Sequence, residues 1–164
     1  MDSDWSAIRL QRYGAWNFEL TKLFPETTAL ITELAIPTAI RGVCFAKQAP
    51  QRGVGVHSDD RNFILTAHLG IDVPATGCSM TVGGWEDGKL VVCDTSFDHY
   101  TSNDSPDALY VLIIDFFHSE LTQRECEQLR FIYQKRNEFE NLSAEVKIES
   151  FFDKLFRGNQ ENKS

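Results

Sequence analysis

Between residues 38 and 116 the chain is cut into short runs of Val, Ile, Leu, Phe and Thr, separated by Gly, Asp, Asn and Pro. The runs are "AIRGVCFAK", "GVGVH", "FILTAHLGIDV", "CSMTV", "KLVVCD", "FDHYTS" and "ALYVLIIDFF". Each has strand length and strand composition, and no helical stretch lies between them. Parallel strands need crossover segments, usually helices. Six or seven short strands without crossovers therefore predict an antiparallel sandwich or barrel. "GGWEDGK" reads as the hairpin turn between two of them.

The flanks differ. The first 20 residues are rich in aromatics but aperiodic, and no element is assigned there. "FPETTALITELA" has Pro25 and Glu26 in a first turn and Leu30, Ile31 and Leu34 at helical spacing, so it predicts a short helix. After the strands, Thr122 and Glu125 form a capping box before "RECEQLRFIYQKR", and "AEVKIESFFDKLF" predicts a second amphipathic helix. The polar "RGNQENKS" predicts a frayed end. The 164 residues suffice for one domain, with a β core at about 36–117 and a helical segment at about 121–157. The C-terminal helices are placed either against the sheet or in an association surface.

A net charge of −8 without a basic stripe excludes a nucleic-acid groove, which needs clustered Lys and Arg. It also disfavours an anionic membrane surface. No apolar run is long enough to span a bilayer, and "MDSDWSAIRLQ" lacks the plan of a signal peptide. Cys44, Cys78, Cys93 and Cys126 are scattered, which predicts reduced thiols and a cytoplasmic location rather than a disulfide frame or zinc knuckle.

The chemistry concentrates in "GVGVHSDDRNFILTAHLGIDVP". On an extended segment, residues i and i+2 point to the same side, so His57 and Asp59 can approach one metal ion. His99, on a later candidate strand, supplies a second imidazole. Two imidazoles and one carboxylate with open positions opposite suit non-heme Fe(II). Zinc competes for the same donors. Against this, a lone strand histidine is commonly a core residue, and "SDDRN" is turn-like.

In order, "FPETT", "HSDDRN", "HLGIDVP", "WEDGKLVVCDTSFDH" and "IIDFFHSELTQRE" resemble the aspartyl/asparaginyl β-hydroxylase family, from about Phe24 to Glu125. The resemblance implies a mostly β, double-stranded β-helix (a cupin-like jelly roll) flanked by the short N-terminal helix and the C-terminal helices. It implies 2-oxoglutarate-dependent hydroxylation at Fe(II) as the default activity. His57 and His99 match the family's iron-ligand histidines, and Asp59 stands where some members carry Gly. His68 matches a position lining the cosubstrate pocket.

The sequence departs from the family at the cosubstrate clamp. A buried carboxylate needs a cationic partner. The family's arginine on the last barrel strand falls on Leu109, its arginine two residues before the "HLG" histidine falls on Thr66, and a serine falls on Ala46. By strand parity Thr66 shares a face with His68, and Leu109, Val111 and Ile113 share another inward face, so Thr66, Leu109 and Ala46 are predicted pocket walls. Arg41 and Lys47 alternate out of phase with Ala46 and are expected to point outward. Arg61 is then the remaining candidate for a relocated clamp. Trp85 and Asp94 read as turn and strand framework, and His118 as a structural residue.

Four functions follow: a 2-oxoglutarate hydroxylase with a moved clamp, an iron oxidase that takes electrons from its own substrate, a non-redox cyclase or isomerase using His57, Asp59 or His99 as acid or base, and a binding module without turnover. The apolar pocket and short chain point to a small-molecule substrate in each case.

Overall fold

A computed structural model describes residues 5–81 and 84–157, with the backbone alone for 143–157. The aperiodic N-terminus is β-structured. It supplies β1 (Trp5–Arg12) and β2 (Ala15–Trp16), which pair as a hairpin. Pattern reading missed β1 because six of its eight residues are not buried and the row does not alternate: a bulge between Arg9 and Gln11 puts Leu10 and Gln11 both inside. Next come two short helices, the second of them the one expected from "FPETTALITELA". The side chain of Asn17 caps α1 (Phe18–Leu23), and Pro25 opens α2 (Pro25–Glu33), where its missing N–H costs nothing.

The strands that follow are β3 (Thr38–Gln48), β4 (Arg52–His57), β5 (Ile64–Asp72), β6 (Cys78–Met80), β7 (Leu90–Cys93), β8 (His99–Asn103) and β9 (Leu109–Phe117). Among the described residues they form two antiparallel sheets, β2-β1-β3-β9-β5-β7 and β4-β8-β6. This is the jelly-roll arrangement, in which consecutive strands change sheets and face each other across a common interior. One expectation fails here. "GGWEDGK" is not a hairpin turn, because β6 pairs with β8 in the small sheet and β7 with β5 in the large one. Residues 84–89 lie between strands of different sheets and carry Trp85 into the core at 4% exposure. Trp85 therefore packs the interior rather than framing a turn.

Strand parity divides the core. Cys44, Ala46, Leu109, Val111 and Ile113 face the small sheet, packing with Trp85 and Met80. Val43, Leu112 and Ile114 face the other way, against Ile31 of α2 and Leu10. Both faces of β3 and β9 are covered, so these strands read as continuous apolar runs rather than alternating ones.

The tail is one helix, α3 (Gln123–Arg157), where the sequence suggested two. No Gly or Pro interrupts residues 136–144, so nothing stops the first helix before the second begins. The capping box forms as read: the Thr122 backbone N–H donates to Glu125 Oε2 at 2.8 Å, and the Glu125 N–H donates to Thr122 Oγ1 at 3.3 Å. Cys126, with Leu129 and Tyr133, seats α3 on Ala39, Ile40, Ile64 and Phe117. Arg130 donates to the Thr38 carbonyl at 2.7 Å. The apolar face proposed for 144–156 and most of the frayed end lie outside the described side chains and residues. No described helix is long and apolar enough to cross a membrane.

Candidate metal centre and its cavity

β4 ends at His57 and β8 begins at His99, and the two residues are register partners in the small sheet. Their rings lie 4.2 Å apart, centroid to centroid. Each uses Nδ1 in the same way: His57 Nδ1 lies 2.8 Å from the Gly55 carbonyl, and His99 Nδ1 lies 2.9 Å from the Phe97 carbonyl. A carbonyl oxygen only accepts, so each Nδ1 carries the proton and donates. In the neutral ring this tautomer leaves Nε2 with its lone pair, the orientation that metal-binding imidazoles take from a backbone partner.

Asp59 lies in the loop after β4, held by its backbone N–H donating to the Thr95 carbonyl at 2.8 Å. Its Oδ1 is 4.0 Å from His57 Nε2, and its Oδ2 accepts from Arg41. Burial would raise the Asp59 carboxyl, but the Arg41 charge and hydrogen bond, with help from Thr95, hold it below its ordinary value. One oxygen is thus fixed by Arg41 and the other faces the imidazoles. Among the described residues, one ligand atom from each of His57, Asp59 and His99 lies within 4.8 Å of the others. Two nitrogens and one carboxylate oxygen on one side, with the opposite side open, fit a divalent transition metal.

Arg41 overturns the expectation that it points outward. The pairings Thr38↔Phe116 and Val43↔Ile114 set five steps of β3 against two of β9, an extended bulge with Gly42 at φ +73°. The bulge breaks alternation and swings Arg41 into the interior. Its Nε lies 2.7 Å from Asp115 Oδ2 as an ion-pair contact, and one terminal nitrogen donates to Asp115 Oδ1 at 3.0 Å, a charge-assisted bond. The same nitrogen donates to Thr66 Oγ1 at 3.0 Å and Thr95 Oγ1 at 3.3 Å. Thr66 Oγ1 donates to Asp115 Oδ1 at 2.7 Å. Burial pushes the Asp115 carboxyl up, against the pull of Arg41 and Thr66. Lys47 does point outward, over the Tyr110 ring.

The cavity behind this group has a volume of about 320 Å³. Thr66 and His68 line it, as parity predicted. Burial, then the Arg41 charge, lower the His68 imidazole to about 4, so it is neutral at pH 7. It stacks on Trp85 at 5.8 Å between centroids. Ala46 and Leu109 do not line the cavity. They share its face but sit deeper, buried among Val73, Trp85 and Val111. Arg61 is not a wall residue either; it donates back to the Asp59 carbonyl at 3.2 Å. Two contributors went unread in the sequence: Arg41, and the β1 side chains Trp5, Ala7 and Arg9. An "R-G" pair inside a strand signals a possible bulge; nothing local marks β1.

Fold and donors together define a jelly-roll protein with a two-histidine, one-carboxylate candidate metal site at the mouth of an apolar-walled cavity. The chain belongs to the aspartyl/asparaginyl beta-hydroxylase family, whose family model matches residues 1–119. It is 30% identical over 132 residues to the aspartyl/asparaginyl beta-hydroxylases of Mus musculus and Homo sapiens, covering 77% of this chain. Those residues amount to 18% and 17% of the two mammalian proteins, so the chain spans less than a fifth of their length. It is also 25% identical over 122 residues to the ornithine lipid ester-linked acyl 2-hydroxylase of Rhizobium tropici, covering 70% of this chain and 42% of that one.

Proposed function

We propose that this protein is a non-heme Fe(II)-dependent oxygenase that hydroxylates a small molecule, with His57, Asp59 and His99 as the iron ligands. The observation that carries the reading is the matched pair of imidazoles, each with Nδ1–H tied to the carbonyl two residues back and Nε2 left to ligate, beside a carboxylate with one free oxygen. Hydroxylase-named relatives on both the protein and the lipid side support the reaction class. An Fe(II) ion held by this donor set supplies dioxygen binding and oxidising power at the cavity mouth. The chain's own residues do the rest. Arg41 keeps Asp59 ionised and aims its Oδ1 at the imidazoles. Thr95 pins the ligand loop. Neutral His68 offers the cavity a hydrogen-bonding group without charge. A volume of about 320 Å³ is at the small end of ligand pockets, which favours a compact substrate.

A second reading, an iron enzyme that takes its electrons from the substrate instead of 2-oxoglutarate, is favoured by Leu109, an apolar, fully buried residue at the family's clamp position. Anaerobic Fe(II) titration with and without 2-oxoglutarate separates the two. Stoichiometric iron with the visible band of an iron–keto acid chelate supports the hydroxylase. Iron without the band supports the second reading. Absence of iron binding, or iron binding unchanged in His57→Ala and His99→Ala, refutes both and leaves a non-redox cyclase or isomerase, or a binding protein.

A further inference from the structure

The cavity contains a cation that the candidate metal centre does not use. Arg9 lies on β1 and lines the cavity with Trp5 and Ala7. Register puts it in a row across the large sheet: Arg9 opposite Cys44, Cys44 opposite Ile113, Ile113 opposite His68. Directly opposed residues share a face, so Arg9 and His68 look into the same space from one sheet, three strand spacings or about 14 Å apart at the backbone.

The other basic groups nearby are committed. Arg41 holds two carboxylates and two threonines. Arg61 bonds the ligand loop, and Lys47 lies over Tyr110 outside. Among the described residues the Arg9 side chain has no ion pair and no hydrogen bond, its charge reaching only the Cys44 thiol across the row, and it is solvent-exposed along the cavity wall. Arg41 is the main counter-charge of both Asp59 and Asp115, so an acid entering the cavity finds its positive partner at Arg9.

We propose that Arg9 is the anion clamp of this protein, taking the carboxylate of a small acid whose far end reaches the His57, Asp59 and His99 group. Where that far end sits rests on the metal reading above; the clamp does not. The wall between is apolar, made by Ala7, Cys44, Val54, Met80 and Ile113, which suits a short hydrocarbon middle. A guanidinium meets a carboxylate in a two-point fork, and here it does so at the open side, where the acid need not be fully stripped of water. A phosphate is the poorer fit, because a dianion wants several donors and the described walls offer Arg9 alone as an unpaired cation. The acid is either a 2-oxo acid cosubstrate or a carboxylate carried by the substrate itself.

Calorimetric titration of metal-free and Mn(II)-loaded protein with 2-oxoglutarate and with hexanoate tests this in wild type, Arg9→Gln and Arg9→Lys. At least one acid should bind the wild type. Arg9→Gln should weaken it about tenfold to a hundredfold, and Arg9→Lys by less, because lysine keeps the charge and loses the fork. Mn(II) affinity without acid should be the same in all three proteins. An Arg9-dependent 2-oxoglutarate titration identifies a cosubstrate clamp; Arg9 dependence for hexanoate alone identifies a substrate clamp. Equal affinities in wild type and Arg9→Gln, or a wild type that binds neither acid, overturn the proposal. Failure of the wild type to take up Mn(II) counts against the metal reading, and the clamp is then decided by the metal-free titration.

Discussion

Replacing Arg41 with Met removes, among the described residues, the only guanidinium on Asp115, which is 4% exposed. Asp115 keeps its bond from Thr66, but its charge is then buried without a counter-charge. Breaking a buried pair by removing one partner costs roughly 3–5 kcal/mol. Arg41's side chain is 24% exposed, so water covers part of the loss and the lower end, about 3 kcal/mol, is expected. With a urea slope of about 2 kcal/mol/M, the unfolding midpoint should fall by about 1.5 M at pH 7. Two controls isolate the cause. Adding Asp115→Leu should recover most of the loss, since no charge is then buried. Lowering the pH from 7 to 5 should narrow the gap between Arg41→Met and wild type. Burial raises the Asp115 carboxyl above its unfolded value even with Arg41, and losing Arg41 raises it further, so the folded variant takes up more protons than wild type and gains more stability as pH falls. A loss under about 1 kcal/mol, or a double variant no better than the single, would show that the network is not the stabilising unit described here.

Two further outcomes follow from the same geometry. The His68 imidazole, at about 4 in the fold, lies below its unfolded value of 6.5, so the unfolded chain gains protons first as pH drops. Stability should fall by about 3 kcal/mol between pH 6.5 and 4 relative to His68→Gln, and level off below; parallel urea midpoints for the two proteins across that window would contradict the buried neutral imidazole. At Gly42 a Cβ would lie 2.3 Å from the Gln11 carbonyl oxygen, at φ +73°. Gly42→Ala should cost at least about 2 kcal/mol, whereas Gly55→Ala, with nothing within 4 Å, should stay within about 0.5 kcal/mol; equal melting points in the two variants would refute the bulge as a constraint.

Much of this protein can be read along the chain. The runs chosen as strands from residue 38 onward all contain strands, because β-branched and aromatic segments bounded by Gly, Asp and Pro have few other options. The capping box located the start of α3 from four residues. His57, Asp59 and His99 could be named together because two are neighbours on one extended segment and the third follows a recognisable "D-x-S-F-x-H". Parity assigned the shared inward face of Thr66 and His68 correctly.

Other features depend on residues meeting from distant parts of the chain. Alternation sent Arg41 outward, and a bulge stabilised by contact between Gly42 and β1 turned it inward, where two carboxylates gathered from 18 and 74 residues away hold it. Ala46 and Leu109 have the predicted facing but lie too deep to touch a ligand, since depth is set by Trp85 crossing between the sheets. Arg9 belongs to a strand with no periodic signature, and it becomes a wall residue only because β1 completes the edge of β3. Local pattern carries which way a residue leans along its own strand. Which space it leans into depends on sheet order, bulges and crossovers, and those arise from contacts that no short window of sequence contains.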